Sequence, residues 1–285
     1  MSIVISNLCF SYMVGTPYEK QALKNINLTV RDGETLGIIG ATGSGKSTLI
    51  QHLNGLIPVT SGSIVVDGVD LSVKKPDYKK VRSIVGLVFQ YPEYQLFDET
   101  VEADVSFGPK NMGLSPDEIK ERVASAIEMV GLDYAKVAKR SPFDLSGGQK
   151  RRVALAGIIA MRPKILILDE PTAGLDPAGR HEILELIMKL KRECSPTVII
   201  ISHNMDEIAD MADRIAVMKD GKLVCALPPV ELFQRDDVVR ECNLELPSCV
   251  RIAKALRARG VDIPISVRKS VLADDIARLC GGNNA

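Results

Sequence analysis

The chain lacks an excess of charge of either sign, and it lacks any hydrophobic run long enough to cross a bilayer. Its 36 basic and 36 acidic side chains cancel, which argues against a nucleic-acid-binding protein that depends on bulk attraction to phosphate. The longest apolar stretch, residues 153–161, is only about half a membrane span, and no basic leader precedes residues 3–5. These absences predict a cytoplasmic chain that does not itself cross a membrane.

Cysteines and aromatic residues are also scarce. The six cysteines include no C-x-x-C pair, so neither a zinc site nor a disulfide framework is indicated, and we expect reduced structural thiols. Hydrophobic residues make up 46% of the 285 residues, which predicts one large domain with an appendage. Among the few aromatic residues we expect Phe10 in the core, whereas Tyr12 could either pack there or stack on a purine.

A glycine-rich segment, residues 40–48, matches the phosphate-loop pattern G-x-x-x-x-G-K-[S/T] at every fixed position. Glycines let the backbone adopt positive φ and approach an anion closely, so that successive N–H groups point at phosphate oxygens. Lys46 would share its charge with the γ-phosphate, and Ser47 would offer a hydroxyl to Mg²⁺. The apolar run 35–39 predicts a strand before the loop. The alternative is a glycine-rich turn with a chance lysine.

The hydrophobic pattern elsewhere predicts three further structural parts. Residues 2–33 alternate like short half-buried strands, which predicts an antiparallel β subdomain, and residues 62–71 add a strand and a hairpin turn. Residues 84–89 form a buried strand that ends on Gln90, whose amide can reach a metal ion or an attacking water. Residues 91–145 have apolar side chains at spacings of three and four, which predicts a helical insert.

Two more apolar strands end in polar side chains. Residues 165–168 are followed by Asp169 and Glu170, and residues 198–201 lead to His203. In a parallel sheet the carboxyl ends of strands are where ligands bind. Asp169 is placed to hold Mg²⁺ through water, and Glu170 to polarise a nucleophilic water. A lone histidine in this position is otherwise a loop residue or a helix cap.

A second helix start has two interpretations. Ser146 and Gln149 form a capping box, which by itself indicates only the beginning of a helix. Gly147 and Gly148 would leave the first N–H groups bare, which makes the same terminus an anion-binding site.

The segment after Gln90 is acidic, and no lysine or arginine occurs between residues 83 and 109. Its carboxylates are Glu93, Asp98, Glu99, Glu102 and Asp104. They could decorate a helix start, where negative charge is favoured by up to about 1 kcal/mol. Because one helix terminus does not need five carboxylates, the sequence also suggests a surface that awaits a cationic partner.

These motifs together resemble the ATP-binding cassette ATPases, over residues 2 to about 225. The matching positions are Tyr12 for the adenine-stacking aromatic, Gly40 to Ser47 for Walker A, Gln90 for the Q-loop, Leu145 to Gln149 for the signature, Ile165 to Asp169 for Walker B, Glu170 for the catalytic base, Ala173 to Asp176 for the D-loop and His203 for the switch histidine. The resemblance implies an α/β fold, with a P-loop NTPase core, an antiparallel β subdomain and a helical insert.

The resemblance also implies roles for individual residues, with ATP and Mg²⁺ as cofactors. Nucleotide contacts are implied for Tyr12, Gly40, Ala41, Thr42, Gly43, Ser44, Gly45, Lys46, Ser47, Thr48 and Gln90. Catalytic roles are implied for Lys46, Glu170 and His203, and Mg²⁺ contacts for Ser47, Gln90 and Asp169. In a head-to-tail dimer, Ser146, Gly147, Gly148, Gln149 and Asp176 would close over the nucleotide bound to the other subunit.

Residues 90–97 and 106–111 resemble one branch of this family, the ATPase subunits of energy-coupling factor transporters, which import vitamins or transition-metal ions. This branch implies a second cassette ATPase, an integral membrane coupling subunit and a substrate-binding membrane subunit as partners, no nucleic acid, and a peripheral location on the cytoplasmic face of the cell membrane. It also implies that Glu93, Asp98 and Glu99 meet arginine from the coupling subunit. An ordinary importer ATPase is one alternative. A soluble cassette protein acting on nucleic acid or ribosomes is another, although residues 91–145 are too short for a long coiled coil.

The C-terminal part, residues 226–285, is predicted to be a small helical domain, so that residues 1–225 form the cassette. Its centre, residues 256–260, is typical of the energy-coupling factor subunits, in which such a domain helps to hold the dimer together. The basic residues Arg251, Lys254, Arg257 and Arg259 could instead mark a helix that touches lipid, but no apolar face with large aromatic residues accompanies them.

Overall fold

The computed structural model describes residues 2–281 and contains two β-sheets. The strands are β1 (Ile3–Tyr12), β2 (Lys20–Val30), β3 (Thr35–Ile39), β4 (Ser63–Val66), β5 (Val69–Asp70), β6 (Val85–Val88), β7 (Ile165–Asp169), β8 (Thr197–Ile201), β9 (Arg214–Lys219) and β10 (Lys222–Leu227). The helices are α1 (Lys46–Leu53), α2 (Tyr78–Ile84), α3 (Val101–Met112), α4 (Pro116–Met129), α5 (Tyr134–Val137), α6 (Gly147–Ile159), α7 (Pro177–Glu193), α8 (Met205–Met211), α9 (Pro229–Gln234), α10 (Asp236–Glu241), α11 (Ser248–Arg257) and α12 (Lys269–Gly281). Short 3-10 turns span Pro92–Gln95 and Pro142–Asp144.

The central sheet has the strand order β10-β9-β3-β8-β7-β6. Strands β9, β3, β8, β7 and β6 are parallel, and β10 pairs antiparallel with β9 at the edge. Both faces of the parallel strands are covered, which explains why they read as continuous runs of valine, leucine and isoleucine. In β7, Ile165 and Ile167 pack into one core, and Leu166 and Leu168 pack into the core on the other face.

The antiparallel sheet has the order β2-β1-β4-β5, as residues 2–33 and 62–71 predicted. The hairpin between β4 and β5 turns at Asp67 and Gly68, which both have positive φ, of 45° and 80°. Two consecutive residues with positive φ form a hairpin turn whose twist matches the right-handed twist of the paired strands. The sheet packs with α1 on one face of the central sheet.

The helical insert begins with the 3-10 turn after Gln90 and contains α3, α4 and α5, which pack against α6. Helix α4 begins with a complete capping box, in which the Ser115 hydroxyl accepts from the Glu118 N–H and the Glu118 carboxylate accepts from the Ser115 N–H. Helix α3 ends at Gly113, whose φ is 82°. These signals set the end of α3 and the start of α4 within the insert.

The C-terminal segment is packed on the cassette. Strand β10 continues to Leu227, beyond the predicted boundary after residue 225, and Leu232 and Phe233 of α9 are fully buried in the larger core. A small separate cluster contains Cys249, Ala253, Ile263 and Leu272. That residues 226–285 form a separate domain therefore remains a prediction. Within residues 2–281, the structure has no helix that is long and apolar enough to span a membrane.

We expect Phe233→Ala to lower the free energy of unfolding by about 3–5 kcal/mol, because Phe233 is fully buried and the cavity would not collapse completely. Urea unfolding would measure the change. The matched control is Phe143→Ala, since Phe143 is 61% exposed and should change stability by only about 0.5 kcal/mol. Equal effects of the two substitutions would contradict the burial of α9 against the cassette.

Candidate functional site

The loop between β3 and α1 has backbone conformations and close contacts that require glycine. Gly40 and Gly45 have φ values of 147° and 104°, a conformation that side chains disfavour. A Cβ at Gly45 would also lie 2.6 Å from the carbonyl oxygen of Ala22. Glycine is therefore required at this position by both conformation and space.

Lys46 and Ser47 lie at the first turn of α1 beside the end of β7. The Lys46 Nζ donates to the carbonyl oxygens of Gly40 at 2.7 Å and Ala41 at 3.1 Å. Burial lowers the pKa of the Lys46 ammonium, and the carboxylates of Glu170 and Asp169 oppose that shift. The Ser47 hydroxyl donates to Asp169 Oδ2 at 3.3 Å. A cation, a hydroxyl and a carboxylate thus converge at one point.

Glu170 is the meeting point of three strand ends. Its Oε2 lies 3.1 Å from His203 Nδ1 and accepts a hydrogen bond from Gln90 Nε2 at 3.3 Å. Its backbone N–H donates to the Ile201 carbonyl at 2.9 Å, which links the ends of β7 and β8. Glu170 also has a left-handed φ of 49°, a conformation that is unusual for a residue other than glycine and that recurs at functional sites.

These groups line one cavity of about 590 Å³ at the carboxyl edge of the sheet. Its lining comprises Tyr12, Lys20, Ala22, Gly40, Thr42, Gly43, Gly45, Lys46, Ser47, Thr48, Gln90, Asp169, Glu170 and His203. Of the residues predicted to bind nucleotide or to catalyse, most therefore lie together, and Ala41 and Ser44 belong to the same loop. A basic end near Lys46 and an acidic end near Glu170 suit a triphosphate with a metal ion and a water.

The oxygen atoms beside the loop fit Mg²⁺. The Ser47 hydroxyl, the Asp169 carboxylate and the Gln90 carboxamide are hard oxygen donors of the kind that Mg²⁺ takes together with phosphate oxygens. Burial is the main cause that raises the pKa of Asp169, the Glu170 charge adds to it, and the bond from Ser47 opposes it. Residues 2–281 contain no cluster of three histidine, cysteine or acidic side chains that could hold a metal ion by itself.

Tyr12 lines the cavity, and its position is supported from behind. Its hydroxyl is 3.1 Å from the Thr48 hydroxyl, and its ring contacts Phe10 edge-on, with centroids 4.8 Å apart. Phe10 in turn contacts the buried ring of His52 at 4.8 Å. Phe10 is thus packed against the core, as expected, while Tyr12 is partly exposed at the mouth of this cavity.

The signature residues lie elsewhere on the surface. Ser146 and Gln149 do form the capping box, with bonds of 3.3 Å and 3.1 Å. Ser146, Gly147 and Gly148 are exposed, and apart from the adjoining residues and the backbone of their own helix no atom lies within 4 Å of where a Cβ of either glycine would stand. Asp176 caps α7 by accepting from the Gly179 N–H at 3.0 Å. Neither Ser146 nor Asp176 lines the phosphate cavity of its own chain.

Glu93, which the sequence assigned to a surface that awaits an arginine of a membrane subunit, has a basic partner within its own chain. Arg151 of α6, which is 58 residues away in sequence, pairs with it through two hydrogen bonds of 2.8 Å and 2.9 Å. The exposed fractions of the two side chains are only 6% and 18%, so the pair is held inside the protein. Glu93 is therefore not available to bind an arginine of a membrane subunit.

Most of the remaining acidic side chains in this segment bind groups of the chain itself. Asp104 accepts from the N–H groups of Phe97 and Asp98, and Asp98 accepts from the Glu99 N–H at 2.9 Å. Glu102 accepts from the Tyr134 hydroxyl at 2.9 Å. Asp98 and Asp104 thus cap a tight turn before α3, whereas Glu102 binds a more distant residue of the insert. The side chain of Glu99 is on the exposed surface.

An apolar groove lies next to that turn, and no motif in the sequence predicted it. The groove has a volume of about 610 Å³, and its lining includes Phe89, Leu96, Phe97, Phe107 and Met161. The ring centroids of Phe97 and Phe107 are 5.1 Å apart in an edge-on contact, although both side chains are more than half exposed. The signal in the sequence was the presence of several phenylalanines within a short stretch of an aromatic-poor chain.

The sequence motifs did not identify two further side chains near Glu170, those of Glu207 and Arg151. Glu207 accepts from the Thr172 hydroxyl at 2.8 Å and from Asn204 Nδ2 at 3.0 Å, which joins the segments after β7 and β8. Arg151 of α6 was not singled out by any motif. Its spacing to Leu155 and Ile159, at i+4 and i+8, would have placed it on the buried face of that helix.

Comparison with known proteins agrees with this geometry. The family model described as ABC transporter matches residues 23–173. The "Energy-coupling factor transporter ATP-binding protein EcfA2" of Clostridium acetobutylicum is 53% identical over 263 residues, with 92% of each chain covered.

Solved structures are similar as well. The structure of cbiO1 from Clostridium perfringens, described as part of the ABC transporter complex cbiONQ, is 41% identical with a TM-score of 0.73, and the match covers 90% of this chain and 98% of that one. A dimeric post-hydrolysis structure of the ATP-binding cassette MJ0796 with ADP and Pi is 30% identical with a TM-score of 0.70, covering 80% and 98%. The chain therefore belongs to the ABC transporter family of ATPases, in the branch of the energy-coupling factor transporter ATP-binding proteins.

Proposed function

We propose that this protein hydrolyses ATP with Mg²⁺ at the cavity around Lys46 and Glu170, and that it powers an energy-coupling factor importer from the cytoplasmic face of the membrane. The observation that carries this proposal is the contact of Glu170 with both Gln90 and His203 in the cavity that the phosphate loop also lines. The branch is supported by relatives of that name over nearly the whole chain.

In the proposed reaction a water oxygen attacks the γ-phosphorus as the bond to the β–γ bridging oxygen breaks. Glu170 accepts the proton of the attacking water, and Gln90 and His203 hold its carboxylate in place. Lys46 and the N–H groups of the loop stabilise the negative charge that spreads over the phosphate oxygens. Ser47, Asp169 and Gln90 would hold Mg²⁺, which when bound would supply positive charge to neutralise part of the developing negative charge.

A second cassette would complete the site. The exposed helix start at Ser146, Gly147 and Gly148 presents N–H groups and a positive helix dipole to solvent, which suits the γ-phosphate of a nucleotide bound to another subunit. We place Asp176 near the same interface. The C-terminal helices α11 and α12 would help to hold the two ATPase subunits together.

Replacing Glu170 with Gln keeps the size of the side chain but removes the base, so we expect hydrolysis to fall by about 10²- to 10⁴-fold. ATP binding, measured with a fluorescent analogue, should persist, and ATP should trap the closed dimer in gel filtration. Turnover of the Gln variant within a factor of about two of the parent would remove Glu170 from the role of base.

Ser146→Asp separates the cap from the trans contact. Aspartate remains a good capping residue, so the melting temperature should hardly change, but its charge would face the γ-phosphate and turnover should collapse. The matched control is Ser115→Asp, in the equivalent capping box of α4, which should leave turnover unchanged. If the two variants hydrolysed ATP equally well, Ser146 would be a capping residue only.

The coupling subunit needs a contact surface next to Gln90. We place it at the apolar groove defined by Phe89, Leu96, Phe97, Phe107 and Met161, with Asp98 and Glu99 at its acidic rim and without Glu93. A cytoplasmic helix of the membrane subunit could lay apolar side chains into this groove and direct arginine to the rim, since arginine pairs with carboxylates in a planar, bidentate manner.

We expect Phe107→Asp to abolish co-purification of the membrane subunits while ATPase activity in detergent-free solution survives, because the groove does not line the nucleotide cavity. Glu99→Lys should weaken co-purification less, since an exposed rim pair contributes under about 1 kcal/mol. Asp117→Lys, on α4 of the same insert, is the charge control. Normal assembly of the Phe107 variant would place the coupling surface elsewhere.

An ordinary importer ATPase is the alternative, with a different membrane partner. Affinity purification in mild detergent followed by mass spectrometry distinguishes the two. A two-protein membrane complex with a second cassette ATPase supports the energy-coupling factor branch, whereas a permease pair with an external binding protein supports the alternative.

A further inference from the structure

Arg151 is a charged side chain that is almost completely buried, with 5% of the residue exposed. Its guanidinium donates through Nε and Nη2 to the two carboxylate oxygens of Glu93. Its Nη1 donates to the carbonyl oxygens of Pro171 at 3.3 Å and Ala173 at 3.1 Å. A desolvated arginine is stable only when such partners surround it, so its position and theirs depend on one another.

The partners of Arg151 belong to segments that carry site residues. Glu93 is in the 3-10 turn that follows Gln90. Pro171 and Ala173 follow Glu170 directly in the loop after β7. Arg151 itself lies on α6, the helix that Ser146 caps. One guanidinium thus joins the signature helix to the Glu93 side chain on the Gln90 side of the Gln90–Glu170 contact and to backbone carbonyls on the Glu170 side.

We propose that Arg151 is a positioning residue, which transmits the position of the signature helix to Gln90 and Glu170. The inference depends on the proposed role of Glu170 as the base. Because Ser146 would face the nucleotide of the other subunit, any movement of α6 on closure reaches the chain's own base through Arg151. Displacement of reacting groups by about 1 Å can cost about 100-fold in rate, so a small movement is sufficient.

The planar shape of the guanidinium is essential to this role. Arginine can engage a carboxylate with two parallel bonds and still direct Nη1 to two carbonyl oxygens, whereas the lysine ammonium is a point charge on a flexible stem. Arg151→Lys therefore keeps the charge and loses the joint contact. Glu93→Gln keeps the size of the partner and removes its charge.

The chain offers a matched control one residue away. Arg152 is also on α6 and pairs with Glu182 of α7 at 2.8 Å, but the exposed fractions of those side chains are 22% and 65%. That pair touches neither the turn after Gln90 nor the loop after Glu170. Arg152→Lys on α6 and Glu182→Gln on α7 change the same chemistry in a neighbouring ion pair without altering the proposed connection.

The experiment measures kcat, KM, the affinity for a fluorescent ATP analogue and the melting temperature of all four variants. We expect Arg151→Lys and Glu93→Gln to lower kcat by about 10- to 100-fold, with nucleotide affinity within about twofold of the parent. The double variant should be no slower than the slower single variant, because the two residues act as one unit. Arg152→Lys and Glu182→Gln should retain the parental kcat.

Three results would overturn the inference. These are a folded Arg151→Lys variant with parental kcat, a loss of nucleotide affinity as large as the loss of kcat, and an equal loss in the Arg152 control. If Arg151→Lys does not fold, Glu93→Gln decides on the same criteria. The Glu170→Gln variant tests the proposed base separately, since parental turnover there refutes the base, whereas an inactive Glu170→Gln variant together with an unaffected Arg151→Lys variant refutes only this inference.

Discussion

The structure of the site depends on one constraint, which is that parallel strands release their chains at the same edge of a sheet. Strands β3, β8, β7 and β6 are adjacent in the central sheet although they are far apart in sequence. Their carboxyl ends therefore bring the phosphate loop, His203, Glu170 and Gln90 to one place. The apolar side chains that bury the strands on both faces are thus the reason that four short polar segments can act on one substrate. The apolar packing that stabilises the sheet therefore also fixes the positions of the site residues.

The sequence predicted this arrangement because each strand is a continuous apolar run that ends abruptly in a polar residue. The phosphate loop was predictable for a different reason. Its positive φ values require glycine at fixed positions, and that pattern is visible in the sequence. The capping box at Ser146 was predictable on the same grounds. The proposed head-to-tail role of that helix start rests on resemblance to a family, because an exposed helix terminus does not by itself indicate which ligand it binds.

The failures have a common physical cause, which is that a charge's partner can come from a distant part of the chain. Local sequence shows no base near Glu93, but the fold brings Arg151 to it. The same limit hid Glu207 and its bond to Thr172, and also Asp206, which accepts from the N–H and hydroxyl of Ser248 at the start of α11. The charges in a short stretch of sequence therefore do not show which of them are paired, because the pairs form through tertiary contacts.

The left-handed backbone at Glu170 means that folding and chemistry compete at this residue. Holding a side chain other than glycine in that conformation costs about 1–3 kcal/mol, which the bond from its N–H to Ile201 and the surrounding sheet offset. A glycine there would relax the backbone and yield a more stable protein that lacks the carboxylate. Selection for stability alone would remove the proposed base. Selection for thermal stability is therefore expected to favour substitutions at Glu170 that lower the activity of this ATPase.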